Sequence, residues 1–446
     1  MSITTEQSPV MFEDALPAAV DVVVIGAGIA GTATSYFLAQ HGLKVVLCEK
    51  GRVAGEQSSR SFGWIRQQGR DWGELPVMME SIRIWRGLAT ETGEADLTFT
   101  ESGCYYLAES QSDLAGYEQW CERAKQYELG TQMLTAGEVR SRFPDLVGNW
   151  VVGMVTLSDG RGEQFTAVPA LARAARRRGV SVIENCAVRT VDIEAGRVAG
   201  VITEKGRIRC EKVVLAAGVW STHFAANAGV NLPQLAVCSS GTRTEQCPEV
   251  ISANLSMDGL SLLRRDDGSY TVSSSDRSVH YLSPASFKYF GKFLALLKQS
   301  GRYINLKLKA PHGYPGTWGS PRRWTGDEIS PFERLRVLNP PVSPTMVKRV
   351  ETRMPERCPA LKDVKLAEAW TGMIDATPDA VPTLGEDPAL RGLYIATGLS
   401  GHGFGIGPAI GRVVADLVRE APPGHDLQRF RPTRFFDGSA IVPGPY

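Results

Sequence analysis

The segment from Asp21 to Lys50 constrains the fold more than any other part of the chain. It reads DVVVIGAGIAGTATSYFLAQHGLKVVLCEK. The β-branched run from Val22 to Ile25 predicts a parallel strand that is buried on both faces. The residues from Ile29 to His41 predict a helix, which ends at Gly42, and Lys44 to Cys48 predict a second strand. The order strand, helix, strand is typical of a doubly wound α/β domain.

The turn between the first strand and the helix carries the spacing G-x-G-x-x-G at Gly26, Gly28 and Gly31. The first glycine allows a tight turn, the second lets the backbone approach a pyrophosphate, and the third lets the helix pack on the strand. The helix N-terminus favours an anion. Glu49, after the second strand, is placed to accept both hydroxyls of a ribose. These features predict an adenine dinucleotide site, and at this point NAD and FAD both satisfy them.

Composition excludes several other functions. The chain has 49 Lys plus Arg against 48 Asp plus Glu, so no net charge attracts it to nucleic acid. Its eight cysteines are scattered without metal-ligand spacing, which predicts reduced thiols and no metal. No apolar run approaches the roughly 18 residues of a membrane helix, and the N-terminus lacks a secretory pattern. We therefore expect a cytoplasmic protein without a membrane span.

The remaining sequence predicts a discontinuous first domain. Its predicted elements are a helix at 167–178, strands at 181–183, 187–193, 198–203 and 208–210 in a small meander, a strand at 212–220, a strand at 392–397 and a helix at 409–419 with Pro408 in its first turn. Residues 237–366 instead show short strands and turns, which predict a separate antiparallel region. The amphipathic residues 287–299 predict a helix that packs against a sheet.

Four blocks of sequence resemble the D-amino-acid oxidase superfamily of FAD-dependent oxidoreductases, in particular its glycine and sarcosine oxidase branch. They are the segment at 21–50, SSRSFGWIR at 58–66, VVLAAGVWS at 213–221, and WTGMIDATPDAVPTLG with GLYIATGLSGHGFGIGPAIGRVVADLV between 370 and 418. The motifs are most similar to those of sarcosine oxidase β-subunits. The segment from 230 to 357 matches only in general texture.

The resemblance implies an α/β (α+β, two-domain) fold, with a Rossmann-like FAD-binding domain and an inserted substrate domain built on a mixed, largely antiparallel sheet. We place the FAD-binding domain at 19–85, 150–228 and 366–420, the substrate domain at 86–149 and 229–365, a flexible tail at 1–18 and a C-terminal tail at 421–446. The FAD-binding residues so implied are Gly26, Gly28, Ile29, Ala30, Gly31, Glu49, Lys50, Ser58, Ser59, Arg60, Ser61, Gly63, Val188, Ala217, Gly218, Trp220, Gly398, Gly401, His402, Gly403, Phe404 and Gly405.

The resemblance also implies a reaction. In this superfamily the flavin N5 takes a hydride from the carbon next to an amine, and the resulting imine hydrolyses. The implied partners are a small amino acid or amine substrate and, as electron acceptor, oxygen or a quinone or other carrier; a homo-oligomer is compatible with the sequence. We expect noncovalent FAD, because GMIDATPD lacks the cysteine that monomeric sarcosine oxidases carry before the TPD segment.

Arg66 is the candidate for binding the substrate carboxylate, because the sarcosine oxidase branch has a carboxylate-binding arginine beyond the flavin loop. His402 is the second candidate catalytic residue. The candidate pocket residues are Trp64, Tyr281, Arg322, Trp370 and Asp375. The sequence departs from the family in two respects: Gly405 replaces a lysine of monomeric sarcosine oxidase, and Ile374 and Asp375 lie where glycine oxidase has an arginine.

Two other hypotheses remain open on the sequence. An NAD-linked dehydrogenase would satisfy the first glycine motif alone. A non-catalytic or partner-dependent flavoprotein subunit would explain the missing second carboxylate ligand. Neither His280 nor His402 has a serine or cysteine partner in the sequence pattern, which argues against a hydrolase.

Overall fold

The computed structural model describes residues 2–274 and 278–444, so residues 1, 445 and 446 of the two predicted tails lie outside the described chain. The helices are α1 Ile29–Gln40, α2 Gln57–Arg60, α3 Leu75–Thr92, α4 Gln111–Ala124, α5 Ala136–Arg142, α6 Ala167–Arg177, α7 Ser221–Asn227, α8 Pro284–Lys288, α9 Phe290–Ser300, α10 Pro331–Arg334, α11 Pro344–Arg357 and α12 Gly403–Val418. Within this part of the chain, no helix combines the length and apolarity that crossing a bilayer requires.

The strands form four sheets. They are β1 Val22–Ile25, β2 Val45–Cys48, β3 Trp64–Ile65, β4 Thr100–Glu101, β5 Cys104–Ala108, β6 Gln132–Thr135, β7 Val152–Thr156, β8 Gly160–Arg161, β9 Ser181–Ile183, β10 Val188–Glu194, β11 Arg197–Thr203, β12 Gly206–Arg209, β13 Lys212–Leu215, β14 Leu235–Thr244, β15 Asn254–Met257, β16 Leu260–Arg264, β17 Tyr270–Ser273, β18 Ser278–Tyr281, β19 Ile304–Lys307, β20 Leu366–Ala376, β21 Thr383–Glu386 and β22 Leu393–Thr397.

The first sheet has six strands in the order β21-β22-β13-β1-β2-β9, and its pairs are parallel except β21 with β22. Its strands come from the beginning, middle and end of the chain. All four residues of β1 are buried, as expected for a strand covered on both faces. Helices α1, α6 and α12 cover one face of this sheet. The predicted α/β architecture is confirmed.

The second large sheet has ten strands, and most of its pairs are antiparallel. Its longest pairing joins β14 to β20, from Leu235 opposite Ala376 to Thr244 opposite Leu366. Strands β5, β6 and β7 extend the sheet at one side, and the pairs β5 with β15 and β18 with β19 are parallel. A mixed, largely antiparallel sheet beside a parallel one is the predicted fold class, and it is confirmed.

Two predictions about elements around the first sheet differ from the structure. Ser181–Ile183 joins the first sheet beside β2, whereas the meander contains only β10, β11 and β12. Helix α12 begins at Gly403, so Pro408 lies inside the helix and not in its first turn. The reason is tertiary packing: a side chain at Gly407 would overlap Ile29, and one at Gly411 would overlap Ala33. Close packing on α1 holds this glycine-rich segment in a helix despite its low helix propensity.

The predicted helix at 287–299 is divided into α8 and α9 at Tyr289. The prediction that its apolar face packs against a sheet is wrong for most of that face. Phe287 is 62% exposed and Phe290 is 56% exposed, whereas Phe293 is buried. The apolar stripe is therefore partly exposed and not fully packed against a sheet.

Parts of both predicted tails pack on the folded chain. Phe12 is buried, and the Glu184 carboxylate accepts a hydrogen bond from the backbone N–H of Met11 at 2.6 Å. At the other end Phe430 is buried, and the Arg434 guanidinium pairs with Asp379 at 2.8 Å. These parts are therefore not loose in the structure. The domain limits themselves stay a prediction.

Candidate functional site

An open cavity lies at the carboxyl ends of β1, β2 and β13, between the N-terminal ends of α1 and α12. Clefts at this edge of a doubly wound sheet are where such folds bind ligands. Fifteen of the predicted cofactor residues line it: Gly26, Gly28, Ile29, Ala30, Glu49, Lys50, Ser58, Ser61, Val188, Ala217, Gly218, Trp220, Gly401, Gly403 and Phe404. We refer to it as the cofactor cavity.

The glycine turn is shaped for close approach of a ligand to the backbone. Gly26 has a φ of 98°, which an L side chain rarely adopts. A Cβ on Gly28 would lie 3.2 Å from Ser58 Oγ, and that hydroxyl accepts a hydrogen bond from the N–H of Ile29 at 2.9 Å. A side chain at Gly31 would overlap the carbonyl of Gly26. The turn therefore presents backbone N–H groups and the small Ser58 hydroxyl to the cavity, and it leaves no space for side chains at the glycine positions.

The Glu49 carboxylate lies at the opposite side of this turn. Its Oε2 accepts from the N–H of Ala27 at 2.9 Å, and its Oε1 accepts from the N–H of Gly51 at 2.8 Å. Burial nevertheless raises the pKa of Glu49 to about 7. A carboxylate in this position gains from further hydrogen-bond donors, which ribose hydroxyls supply.

Lys50 lines the cavity but is held by the protein. Its Nζ lies 2.6 Å from Glu56 Oε1 and donates to the carbonyl of Leu335 at 2.9 Å. The Trp220 indole donates to the same Glu56 carboxylate at 3.0 Å. Lys50 and Trp220 thus fix the wall of the cavity through Glu56, a residue that the sequence analysis missed because it belongs to no motif.

Seven predicted cofactor residues do not line the cavity: Gly31, Ser59, Arg60, Gly63, Gly398, His402 and Gly405. Most of them shape its surroundings. Arg60 is buried and donates to the carbonyl of Thr4 at 3.0 Å. Sequence reasoning also missed lining residues, among them Arg52, Ala54, Gly55, Gln57, Phe224, Phe332, Met373, Thr397 and Leu399. Phe332 comes from a stretch without motifs, so no local signal could have found it.

Asp375 holds the glycine-rich loop that precedes α12. Its Oδ2 accepts from the N–H of Gly398 at 2.8 Å, the N–H of Leu399 at 3.2 Å and the hydroxyl of Thr397 at 3.1 Å. Burial raises the pKa of this carboxyl. Asp375, a predicted residue of the substrate pocket, instead lines the cofactor cavity and shapes this loop.

Arg66 does not line the cofactor cavity, and it lies beside two aromatic rings. Its guanidinium carbon is 6.0 Å from the centre of the Trp64 ring and 5.8 Å from that of Tyr106. The two rings are 6.3 Å apart. A guanidinium between aromatic walls can bind a carboxylate bidentately while the walls contact apolar atoms.

His402 is brought to the same region by the loop between Gly401 and Gly403. Its backbone carbonyl accepts from Arg70 at 2.9 Å, and its Nε2 lies 3.8 Å from Glu74 Oε1. Burial, followed by the charges of Arg70 and Arg66, holds the pKa of His402 well below its usual range. The imidazole is therefore neutral at physiological pH, and the arginines supply the positive charge of this region.

Gly405 explains the first departure from the family pattern. A Cβ at this position would lie 3.1 Å from the carbonyl oxygen of Trp64 and 3.1 Å from the Cα of Ile65, because β3 crosses the first turns of α12 here. A side chain at this position would press on the backbone of β3. With glycine here, a carboxylate ligand would come from another element, such as the Arg66 segment.

The structure does not bring all the predicted substrate residues together. Trp370 is fully buried, and its indole donates to the carbonyl of Arg60 at 3.0 Å, which is a packing role. Tyr281 and Arg322 line a separate cavity. Trp64, Arg66 and His402 thus form one group, which we call the Arg66 site, and Tyr281 and Arg322 form another. The described residues contain no cluster of potential metal ligands.

The fold and the cavity define a mixed α/β protein that binds an adenine dinucleotide. The chain belongs to the DAO family of FAD dependent oxidoreductases, whose family model matches residues 21–417. FAD is accordingly its cofactor, and the NAD-linked alternative is wrong. The predicted resemblance is confirmed.

Relatives and solved structures agree with this assignment. The chain is 27% identical to mitochondrial sarcosine dehydrogenase from Mus musculus over 94% of this chain and 42% of that protein. It is 24% identical to sarcosine oxidase subunit beta from Rhodobacter capsulatus, over 95% of this chain and 91% of that protein. The structure of an L-amino acid deaminase from Proteus myxofaciens, in complex with anthranilate, matches with a TM-score of 0.90 and 30% identity, covering 98% of this chain and 100% of that one. The chain spans about half the length of the first curated relatives that it matches.

Proposed function

We propose that this protein oxidises the amine-bearing carbon of an amino acid or N-substituted amino acid. The observation that carries this proposal is that Arg66 lies close enough to His402 for its charge to lower the pKa of that histidine, whose neighbours Gly401 and Gly403 line the cofactor cavity. When bound, FAD supplies the two-electron acceptor that takes a hydride from the substrate carbon. The protein's part is to bind both molecules and to orient the substrate.

The residues of the cofactor cavity fit FAD. The N-terminus of α1 with Ser58 would hold the pyrophosphate, and Glu49 would hold the adenosine ribose. The backbone at Gly401 and Gly403, at the start of α12, would stabilise negative charge on the ring system. Cys48 is the one cysteine among the described lining residues, and it lies at the end of β2 beside Glu49, towards the ribose end. This arrangement supports noncovalent binding.

The substrate carboxylate would bind to Arg66, because a guanidinium pairs bidentately with a carboxylate. Trp64 and Tyr106 would contact the substrate's apolar atoms. His402 would stay neutral next to this pair and would not compete with Arg66 for the carboxylate. The names of the relatives, which are a sarcosine dehydrogenase and an L-amino acid deaminase, support an amine-bearing acid as the substrate class.

An anaerobic titration tests the proposal. The holoenzyme is mixed with D-, L- and N-methyl amino acids, and the visible flavin band is followed. Bleaching by one class is the expected result, and it identifies the substrate. A band that no amine-bearing acid bleaches contradicts the proposal and favours a flavoprotein subunit that depends on a partner. The cytoplasmic location and a homo-oligomeric state stay predictions.

A further inference from the structure

Arg70 is a charged residue in the protein interior, and the proposed reaction gives its side chain no contact with the substrate. It is 1% exposed and is among the largest fully buried side chains of the described chain. A buried guanidinium destabilises a protein unless its N–H donors find acceptors. The groups that accept from Arg70 therefore show which parts of the molecule this residue holds together.

The Arg70 guanidinium joins two backbone segments that are distant in the sequence. Its Nε donates to the carbonyl of Arg66 at 3.1 Å, and one of its terminal nitrogens donates to the carbonyl of His402 at 2.9 Å. The first carbonyl belongs to the proposed ligand of the substrate carboxylate. The second belongs to the loop in which Gly401 and Gly403 line the cofactor cavity. One planar group thus links the substrate-binding segment to the cofactor-binding loop.

Glu74 holds the guanidinium in this orientation. The other terminal nitrogen of Arg70 lies 3.3 Å from Glu74 Oε2, and the Glu74 side chain is fully buried. Glu74 is the residue before the first turn of α3, where the helix N-terminus favours a negative charge. Because the N–H donors of a guanidinium have a fixed fork geometry, a bond to one side of the fork also orients the others. We call Arg70 and Glu74 the Arg70 clamp.

Helix α3 also contacts the first turn of α12 directly. The Ser81 hydroxyl donates to the carbonyl of Gly405 at 2.6 Å, and the Trp85 indole donates to the same carbonyl at 2.9 Å. These two bonds fix the start of α12 on α3. The Arg70 clamp, at the N-terminal end of α3, extends this fixed unit to the backbone of Arg66.

We propose that Arg70 is a positioning residue for amine oxidation, which sets the position of the substrate bound at Arg66 relative to the cofactor held by the loop at Gly401 and Gly403. The inference rests on the proposed function. Reaction requires the reacting atoms to lie about 3–3.5 Å apart, and a displacement of about 1 Å can lower the rate about 100-fold. A group that joins the two binding segments fixes this distance.

Arg70 and Arg66 should therefore affect different kinetic quantities. Arg66 makes the proposed ion pair with the substrate, so its loss weakens substrate binding. Arg70 binds backbone carbonyls instead of the substrate. Its loss should leave most of the affinity in place and should slow the reduction of the flavin at saturating substrate.

Stopped-flow reduction of the holoenzyme separates the two effects, because it gives a limiting rate constant and an apparent Kd. The reductant is the amine-bearing acid that bleaches the flavin. Arg70→Lys keeps the charge but not the fork, and the limiting rate constant should fall about tenfold with a change in Kd of less than about threefold. A second variant combines Arg70→Met with Glu74→Gln, which removes both charges of the pair and leaves neither unpaired. Its limiting rate constant should fall about 100-fold.

Arg434→Lys is the matched control. Arg434 is also a buried arginine: it pairs with Asp379 at 2.8 Å and donates to the carbonyl of Val381 at 2.8 Å. This variant should lower the denaturant midpoint as Arg70→Lys does, but it should leave the limiting rate constant unchanged. Equal falls in the rate constant for the two variants would reflect a general loss of stability and overturn the inference. A rate constant that neither Arg70 variant lowers also overturns it.

Hydrogen–deuterium exchange of the apoprotein tests the link between the two segments without turnover. In Arg70→Lys the backbone amides at 66–70 and 401–405 should exchange faster, whereas those of the β10–β12 meander should exchange as in the unmodified protein. Unchanged exchange at both segments contradicts the inference. A holoenzyme that no amine-bearing acid bleaches contradicts the proposed function, whereas the exchange experiment still decides whether Arg70 holds the two segments together.

Discussion

Asp159 Oδ1 accepts a hydrogen bond from the backbone N–H of Gln67 at 2.8 Å, and its Oδ2 accepts from the N–H of Gln68 at 3.0 Å. The Arg66 guanidinium donates in turn to the carbonyl of Gln68. Burial raises the pKa of Asp159 to about 6. One carboxylate thus fixes the backbone that carries the proposed substrate-binding arginine.

Asp159→Asn should disturb this segment, because the amide nitrogen cannot accept from a backbone N–H. We expect KM for the amine-bearing acid to rise about tenfold with a much smaller change in kcat. This corresponds to a loss of about 1–2 kcal/mol in the free energy of substrate binding, because Arg66 is no longer held in position. FAD content should not change. The control is Asp113→Asn on the exposed face of α4. A fall in kcat at constant KM would contradict a positioning role for Asp159.

Arg66→Met should remove the proposed carboxylate ligand. A charge-assisted hydrogen bond contributes about 1.5–3 kcal/mol, so kcat/KM should fall roughly 10- to 150-fold, mainly through KM. Arg66→Lys should recover part of this loss, because lysine keeps the charge but not the bidentate geometry. Arg86→Met, in an exposed ion pair with Glu101, is the control. Steady-state kinetics with the substrate found by anaerobic bleaching would measure the effect; equal KM values for all forms would rule out this role.

Glu49 should make FAD affinity depend on pH. The ribose hydroxyls donate to the ionised carboxylate, so FAD binding should lower the pKa of Glu49 from about 7. At a pH below about 7, FAD binding therefore releases a proton from Glu49. The Kd for FAD should therefore rise as the pH falls, about tenfold from pH 8 to pH 6. Titrations of the apoprotein by flavin fluorescence would show this. Glu49→Gln should bind weakly and without this dependence, whereas exposed Glu101→Gln should behave as the unmodified protein.

Gly411→Ala should destabilise the fold, since the added methyl group would overlap Ala33 of α1. Overpacking costs about 1–3 kcal/mol in the free energy of unfolding. Gly87→Ala is the matched control: Gly87 also lies inside a helix, and no atom lies within 4 Å of its hypothetical Cβ. The control should stabilise the protein by about 0.5–1 kcal/mol through helix propensity. Denaturant unfolding of both variants measures the difference, and equal destabilisation would contradict close packing of α1 on α12.

The cofactor side of the protein could be predicted from sequence because its signals are local. Gly26, Gly28 and Glu49 lie within one strand–helix–strand unit, so spacing alone indicates their function. Phe332 and Met373 line the same cavity, but they come from segments distant in the sequence. No spacing pattern in the sequence indicates that they meet the glycine motif.

The residues that would contact the substrate are harder to predict, because segments distant in the sequence bring them together. Tyr281 and Arg322 resemble pocket residues by type, yet β18 and the loop after β19 place them in a separate cavity, which Arg66 does not line. Phe287 shows the opposite case: its spacing indicates a buried helix face, whereas in the structure it is exposed and its ring contacts only the exposed Trp318 ring among the described aromatic rings. Tertiary arrangement decided both outcomes.

The order of strands in the first sheet has a consequence for synthesis of the chain. β1 lies between β2, which follows it closely, and β13, which the ribosome adds some 190 residues later; α12, which covers α1, comes last of all. The nascent N-terminal unit therefore exposes an open strand edge and an uncovered apolar helix until almost the whole chain has emerged. Translation arrested before α12 should yield fragments that need chaperones and cannot retain the cofactor.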